Sequence, residues 1–219
     1  MGLDMYLNTF PRTNELTIAQ LDAISDYHTA ILRGNMHLAP EGFDSWNKIQ
    51  QQIASEILNA ATTTYYDWDD NHELPRSSIG AQVGYWRKAN AVHQYFVDAV
   101  QDGEDDCRYH REVTRGVLFD LQEKCKTILE DAVMTEGKIV NGYTYDGEMK
   151  RVPIYEAGRY VINPEVCEEN LPTTSGFFFG STSYDQWYMD DIAYTYELVT
   201  KLLNEFDFKN NMLYYVSSW

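Results

Sequence analysis

Two stretches of this chain gather the side chains that chemistry would need. The first is Gly84–Cys107, GYWRKANAVHQYFVDAVQDGEDDC, where Trp86, Arg87, Lys88, Asn90 and His93 crowd together and Asp102, Asp105 and Asp106 follow. The second is Leu171–Asp185, LPTTSGFFFGSTSYD, with Gly180, Ser181, Thr182 and Tyr184 just ahead of a helical pattern. Cations attract anions directly, and a helix start adds unpaired backbone N–H groups and the positive end of its dipole. Glycine lets the backbone approach a ligand closely, and hydroxyls add donors. If the two stretches meet, Arg87, Lys88, Asn90 and His93 form an anion pocket with Gly180, Ser181 and Thr182. Trp86, Phe178 or Tyr184 would then offer a face on which a ring can stack. A phosphate-bearing, nucleotide-like small molecule suits that set. The ordinary reading of the same residues is a core helix with solvated charges, followed by serine and threonine capping.

Catalytic signals are thin. His93 with Asp102, Asp105 and Asp106 is an acid–base set in principle. Cys107 and His110 lie close together on a polar loop, where nothing in the sequence activates a thiol. There is no GxSxG, no GxxxxGKS and no HExxH, so no catalytic residue is assigned. Asp67, Asp69, Asp70 and His72 cluster within YYDWDDNHELPRSS, Tyr65–Ser78, and carboxylates suit calcium or magnesium. The glycine and closing glutamate of a calcium loop are missing there. No metal and no cofactor are therefore expected. His28, on an apolar helix face, reads as a buried histidine with a local partner.

The charge balance narrows the partners. The 219 residues carry 34 acids against 17 bases, a net charge of −17. Phosphate backbones need clustered lysine and arginine, so direct nucleic-acid binding is disfavoured. The same field favours a basic protein partner, and an acidic surface can imitate a nucleic acid or serve only solubility. A hydrophobic fraction of 44% excludes general disorder. Cys107, Cys125 and Cys167 are far apart with no CxxC, which points to a reduced, cytoplasmic setting. MGLDMYLNTF lacks the features of a signal peptide, and no stretch approaches the ~20 apolar residues of a spanning helix, so no membrane association is expected.

Elements that would position these residues follow from periodicity. Leu3, Met5 and Leu7 alternate with polar neighbours and predict a first strand. Thr17 with Gln20 is a capping box opening a helix to Arg33. Asp44 or Ser45 is expected to cap a second helix carrying Trp46, Ile49, Ile53, Ile57 and Ala60. Tyr65–Ser78 reads as polar and irregular. The central stretch reads as one helix ending at Asp102-Gly103. A further helix spans about Thr114 to Asp131. Ile139–Tyr145 and Glu148–Tyr155 flank Asp146-Gly147, a hairpin signal, and Gly158–Ile162 suggests a third strand. Phe177-Phe178-Phe179 reads as a buried extended segment. Ser183 with Gln186 predicts a cap for the last long helix, and Asn211–Ser217 a final strand pairing with the first. The expected fold is one α+β domain over residues 1–219. Four or five helices should pack on a small antiparallel sheet containing both termini, with the 138–162 hairpin inserted at an edge.

Three blocks, MGLDMYL, GYWRKANAVHQYFV with QDGEDDC, and LPTTSGFFFGSTSYDQWY, together with the ending YYVSSW, resemble a family of uncharacterised bacteriophage and prophage proteins. The resemblance covers about a quarter of the chain. It implies a phage or mobile-element origin and one functional surface built from the two central blocks. It adds Tyr85, Asp105, Asp106, Gly176 and Asp185 to the candidates above. Ile18–Thr64 and the hairpin Ile139–Tyr155 read as elaborations of this member. On origin and charge, the leading expectation is a non-catalytic inhibitor in the host cytoplasm, binding a host defence protein through an acidic, aromatic surface. The alternative is a module that binds or sequesters an anionic, nucleotide-like molecule. A hydrolase of such a ligand stands third.

Overall fold

The alternation at the start of the chain becomes the middle of a sheet. In the computed structural model, which describes residues 2–35, 39–69, 72–148, 150–176 and 179–219 without the side chains of 66–69, 72, 73 and 151, strand β1 is Asp4–Pro11. It is followed by α1 (Ile18–Leu32), α2 (Lys48–Ala60), β2 (Thr63–Asp69), β3 (His72–Ser77), β4 (Ala81–Arg87) and α3 (Asn90–Val100). Then come α4 (Arg115–Asp131), β5 (Met134–Tyr145), β6 (Arg151–Val161), α5 (Glu165–Asn170), α6 (Gln186–Glu205) and β7 (Asn211–Ser218). The architecture is mixed α+β. Strand β1 pairs antiparallel with β4 on one side and β7 on the other, so both ends of the chain share a sheet ordered β4-β1-β7.

Register explains the core. Met5 lies between Trp86 and Ser217, and Leu7 between Gly84 and Tyr215. Leu3, Met5, Leu7, Trp86 and Tyr215 are all buried there. They join Val92 and Phe96 of α3, Leu118, Leu121, Cys125 and Ile128 of α4, and Tyr188, Ile192 and Val199 of α6 in the main core. The chain between β1 and β4 builds a second cluster, with Leu21 and Ile24 of α1, Trp46 and Ala54 packed on Phe10, Ile79 and Met212. Hairpin β2–β3 leans on α1: the Ser77 N–H donates to Thr29 Oγ1 at 3.0 Å and Arg33 Nε to the Pro75 carbonyl at 3.1 Å. Among the described residues, no helix is long and apolar enough to cross a membrane.

Several expectations are corrected. The central stretch is not one helix, since Tyr85, Trp86 and Arg87 belong to β4 and the helix begins at Asn90. Their spacing satisfies a strand as well as a helix, and pairing with β1 decides. Tyr65–Ser78 is largely a hairpin, for which its aromatic residues are good formers. Pro75 sits in a two-stranded ribbon, where a missing N–H costs little. Helix α2 is capped by Asn47 in a capping box with Gln50, after a 3₁₀ turn at Phe43–Ser45, and Ile49 is exposed. Strands β5 and β6 are longer than expected and form their own two-stranded sheet, not an edge of the main one. GRYVI is the end of β6 and not a third strand. The loop is wider than an Asp-Gly turn: Asp146 N–H donates to the Lys150 carbonyl at 3.0 Å, and its Oδ1 accepts from Glu148 and Lys150 N–H. Helix α6 is capped by Asp185, while Ser183 N–H bonds Ser181 Oγ.

Candidate functional site

The two chemistry-bearing stretches meet at the turn between β4 and α3. Lys88 makes that turn with φ 62°, donating its N–H to the Leu3 carbonyl at 2.8 Å and accepting from Asn90 N–H at 2.9 Å. Gly180 packs on it with φ 93°, a conformation that favours glycine. A Cβ at Gly180 would stand 3.2 Å from Lys88 Cβ and 3.3 Å from the Lys88 carbonyl oxygen. Asn90 fastens the join. It is 4% exposed, and its Nδ2 donates to the Phe179 carbonyl at 3.1 Å and the Ser181 carbonyl at 2.7 Å. Its Oδ1 accepts from Thr174 N–H at 3.0 Å. One amide thus satisfies three backbone groups of a segment without regular structure.

An open cleft of about 960 Å³ lies along this join. Arg87, Lys88 and the first turn of α3 line one part, and Gly176, Phe179, Gly180 and Ser181 another. The start of α6 contributes Asp185, Trp187, Asp190 and Asp191, and β5 contributes Asn141, Gly142, Tyr143 and Tyr145. A bulge between Val140 and Tyr143 separates the hairpin's outer part from its regular base. Helices α1, α2, α4 and α6 have side-chain N-caps, whereas α3 has none, and its Ala91 and Val92 line the cleft. The amides of such a first turn suit an anion.

The cleft carries side chains of both signs. The exposed Arg87 guanidinium reaches Asp4 only at 4.0 Å, a weak pairing. Lys88 makes no salt bridge with a described residue. Opposite in sign are Asp185, Asp190 and Asp191. Burial, with help from Asp190 and Asp185, pushes the Asp191 carboxyl up to about 7. Burial also raises Asp185, although it accepts from Trp187 and Tyr188 N–H through Oδ1.

The remaining candidates lie elsewhere. Trp86 is buried and donates Nε1–H to Thr195 Oγ1 at 2.9 Å, so it offers no stacking face to the cleft. His93 is 1% exposed and does not line the cleft. Its Nδ1 accepts from the Tyr215 hydroxyl at 2.6 Å, and its Nε2–H donates to Asp105 at 2.9 Å. Burial holds its pKa below the ordinary value, against the pull of Asp105, which agrees with a neutral ring. Thr182 is exposed and gives its carbonyl to Thr173 Oγ1. Tyr184 lines a smaller neighbouring cavity with Ser183 and Asp185. Phe178 lies outside the described residues.

The imagined acid–base set does not gather. Asp105 holds His93, Asp102 pairs with Arg111 at 2.6 Å, and Asp106 faces His110 at 2.7 Å. Cys107 lies 3.9 Å from Ser217 Oγ and not against His110. Among the described residues, no group of three histidines, cysteines or acids is placed to hold a metal. Of the earlier acidic cluster, Asp70 and the side chains of Asp67, Asp69 and His72 lie outside what the structure describes. His28 bonds Ser77 Oγ through Nδ1 at 2.9 Å. Sequence reasoning missed Asp190, Asp191, Trp187 and the hairpin tyrosines. An acidic pair at a helix start is ordinary, and nothing local tells that a distant hairpin flanks the same cleft. No protein-family model, curated protein or solved structure matches the chain.

Proposed function

We propose that this protein binds a small, phosphate-bearing, nucleotide-like ligand in the cleft between α3, the 173–185 segment and the β5–β6 hairpin. The observation that carries this reading is the shared position of Arg87, Lys88, the uncapped start of α3 and Gly180–Ser181 on one cleft. The phosphate sits with the cations and amides. Tyr145 and Trp187 offer ring faces nearby, each with at least part of its side chain accessible. The net charge of −17 opposes an anion at long range, but salt screens beyond roughly 8 Å at physiological strength, so the nearby cations decide. The test is thermal shift against nucleoside mono-, di- and triphosphates and inorganic phosphate. A nucleotide should raise the melting temperature, and Arg87→Ala with Lys88→Ala should abolish the shift without lowering the unliganded melting temperature by more than a few degrees. A panel without any shift would end this reading.

The exposed aromatic and aliphatic side chains of the hairpin, Tyr145, Ile154, Tyr155 and Tyr160, favour a second reading, the phage-encoded inhibitor of a host defence protein. Such anchors together with an acidic field suit a basic protein partner. Pull-down from bacterial lysate at low and high salt tests it: a partner retained at low salt should be lost by Tyr145→Ala with Tyr155→Ala. A partner that the double variant still captures would place the contact elsewhere.

A further inference from the structure

One oxygen in the cleft wall has no use in the folded chain. Asp185 is 1% exposed, its Oδ1 caps α6, and its Oδ2 has no hydrogen-bond partner among the described residues. A buried acceptor left unpaired destabilises the fold. Capping does not require it, because asparagine caps a helix as well as aspartate does. Asp190 and Asp191 line the same cleft, and none of the three acids forms an ion pair with a described residue. They are not placed to share a metal. Among the described residues that line the cleft, Arg87 and Lys88 are the cations, and neither forms an ion pair with these acids.

The same cleft is also lined by Arg87, Lys88 and the start of α3. A ligand bearing only negative charge would be attracted by these cations and repelled by the acids. One carrying a phosphate and a neutral, donor-rich edge satisfies both. Carboxylates accept through two oxygens, and adjacent N–H donors match them. Guanine presents such a pair at N1 and N2. Hypoxanthine has only the N1–H, and uracil flanks its single N–H with two carbonyl oxygens that a carboxylate repels.

Resting on the ligand-binding reading above, we propose that the cleft is bipolar and selects a guanine nucleotide, its phosphate at Arg87 and Lys88 and its N1–H and N2–H₂ edge at Asp185 and Asp191. The acids at the start of α6 are then specificity residues, and the unpaired Asp185 oxygen is completed by the ligand.

Titration calorimetry with GMP, IMP and UMP on the full chain tests this. GMP should bind about tenfold tighter than IMP, the equivalent of about 1.4 kcal/mol for one hydrogen bond, and UMP weakest of the three. Asp185→Asn keeps the cap and turns the orphan acceptor into a donor. It should weaken GMP at least tenfold and bring GMP level with IMP. Asp191→Asn serves where Asp185→Asn does not fold, with the same loss of discrimination. Equal binding of GMP and UMP, or Asn variants that bind all three as the parent does, would overturn the bipolar cleft. If Arg87→Ala still abolished that binding, the ligand-binding reading would stand. Failure of all three nucleotides to bind would remove both.

Discussion

Asn90 is the clip on which the cleft depends, and Asn90→Asp tests it with almost no change in shape. In the parent, the Asn90 amide nitrogen serves the carbonyls of Phe179 and Ser181 at 3.1 and 2.7 Å. The variant replaces both donors with a carboxylate oxygen facing two acceptors. A buried polar group left unpaired costs about 1–3 kcal/mol. Ser181 is exposed, so its carbonyl can turn to water, whereas Phe179 is only 8% exposed and cannot. The expected loss is about 3 kcal/mol at neutral pH. For a chain of this size that is a fall of roughly 6–12 °C in melting temperature. The sign of the pH dependence is a second signature. Burial and facing carbonyls would raise the pKa of the new carboxyl in the folded state, so the folded state binds more protons than the unfolded one above about pH 4. Stability of the variant relative to the parent should therefore fall as pH rises from about 4 to 7, and recover on acidification when the protonated carboxyl donates one bond. Scanning fluorimetry reads the melting temperature across pH. Limited chymotrypsin digestion reads the local effect, with faster cleavage after Phe179 or Tyr184. A melting temperature within a degree of the parent, with unchanged digestion, would show that Asn90 does not hold the segment and would undo the account of the cleft.

Two further outcomes follow from the packing around His93 and Gly180. His93 is buried neutral with its pKa below the ordinary 6.5, so on acidification the unfolded state takes up a proton that the folded state refuses. Urea unfolding should show stability falling as pH drops below about 6.5, and His93→Gln should flatten that slope; an unchanged slope would assign it to other groups. Gly180→Ala would put a Cβ 3.2 Å from Lys88 Cβ at a φ of 93°, and should cost about 1–3 kcal/mol in the same assay. Wild-type stability in that variant would mean that the Lys88–Gly180 contact is loose.

Much of the fold is legible in local pattern. The Leu3–Met5–Leu7 alternation, the Thr17–Gln20 box, the α4 and α6 apolar faces and the final strand all stand where periodicity puts them. Each depends on side chains within one or two turns, or on alternation within one strand, which the sequence displays directly. Tyr85–Arg87 shows the boundary of that reasoning. Its aromatic residues fit a strand or a helix, and the choice rests on β1, far away in the chain. The cleft lies wholly beyond it. Residue types alone nominate Arg87, Lys88, Asn90, Gly180 and Ser181, since charge, hydroxyl and glycine are properties of the residues themselves. That Asn90 would be spent on three backbone bonds, His93 sealed against Tyr215 and Asp105, and Asp190 and Asp191 set in the same cleft as Arg87 depends on how α3, α6 and β5 come together. Burial and pairing partners are properties of that assembly, so only the tertiary structure could decide which nominated side chains face a ligand and which face the core.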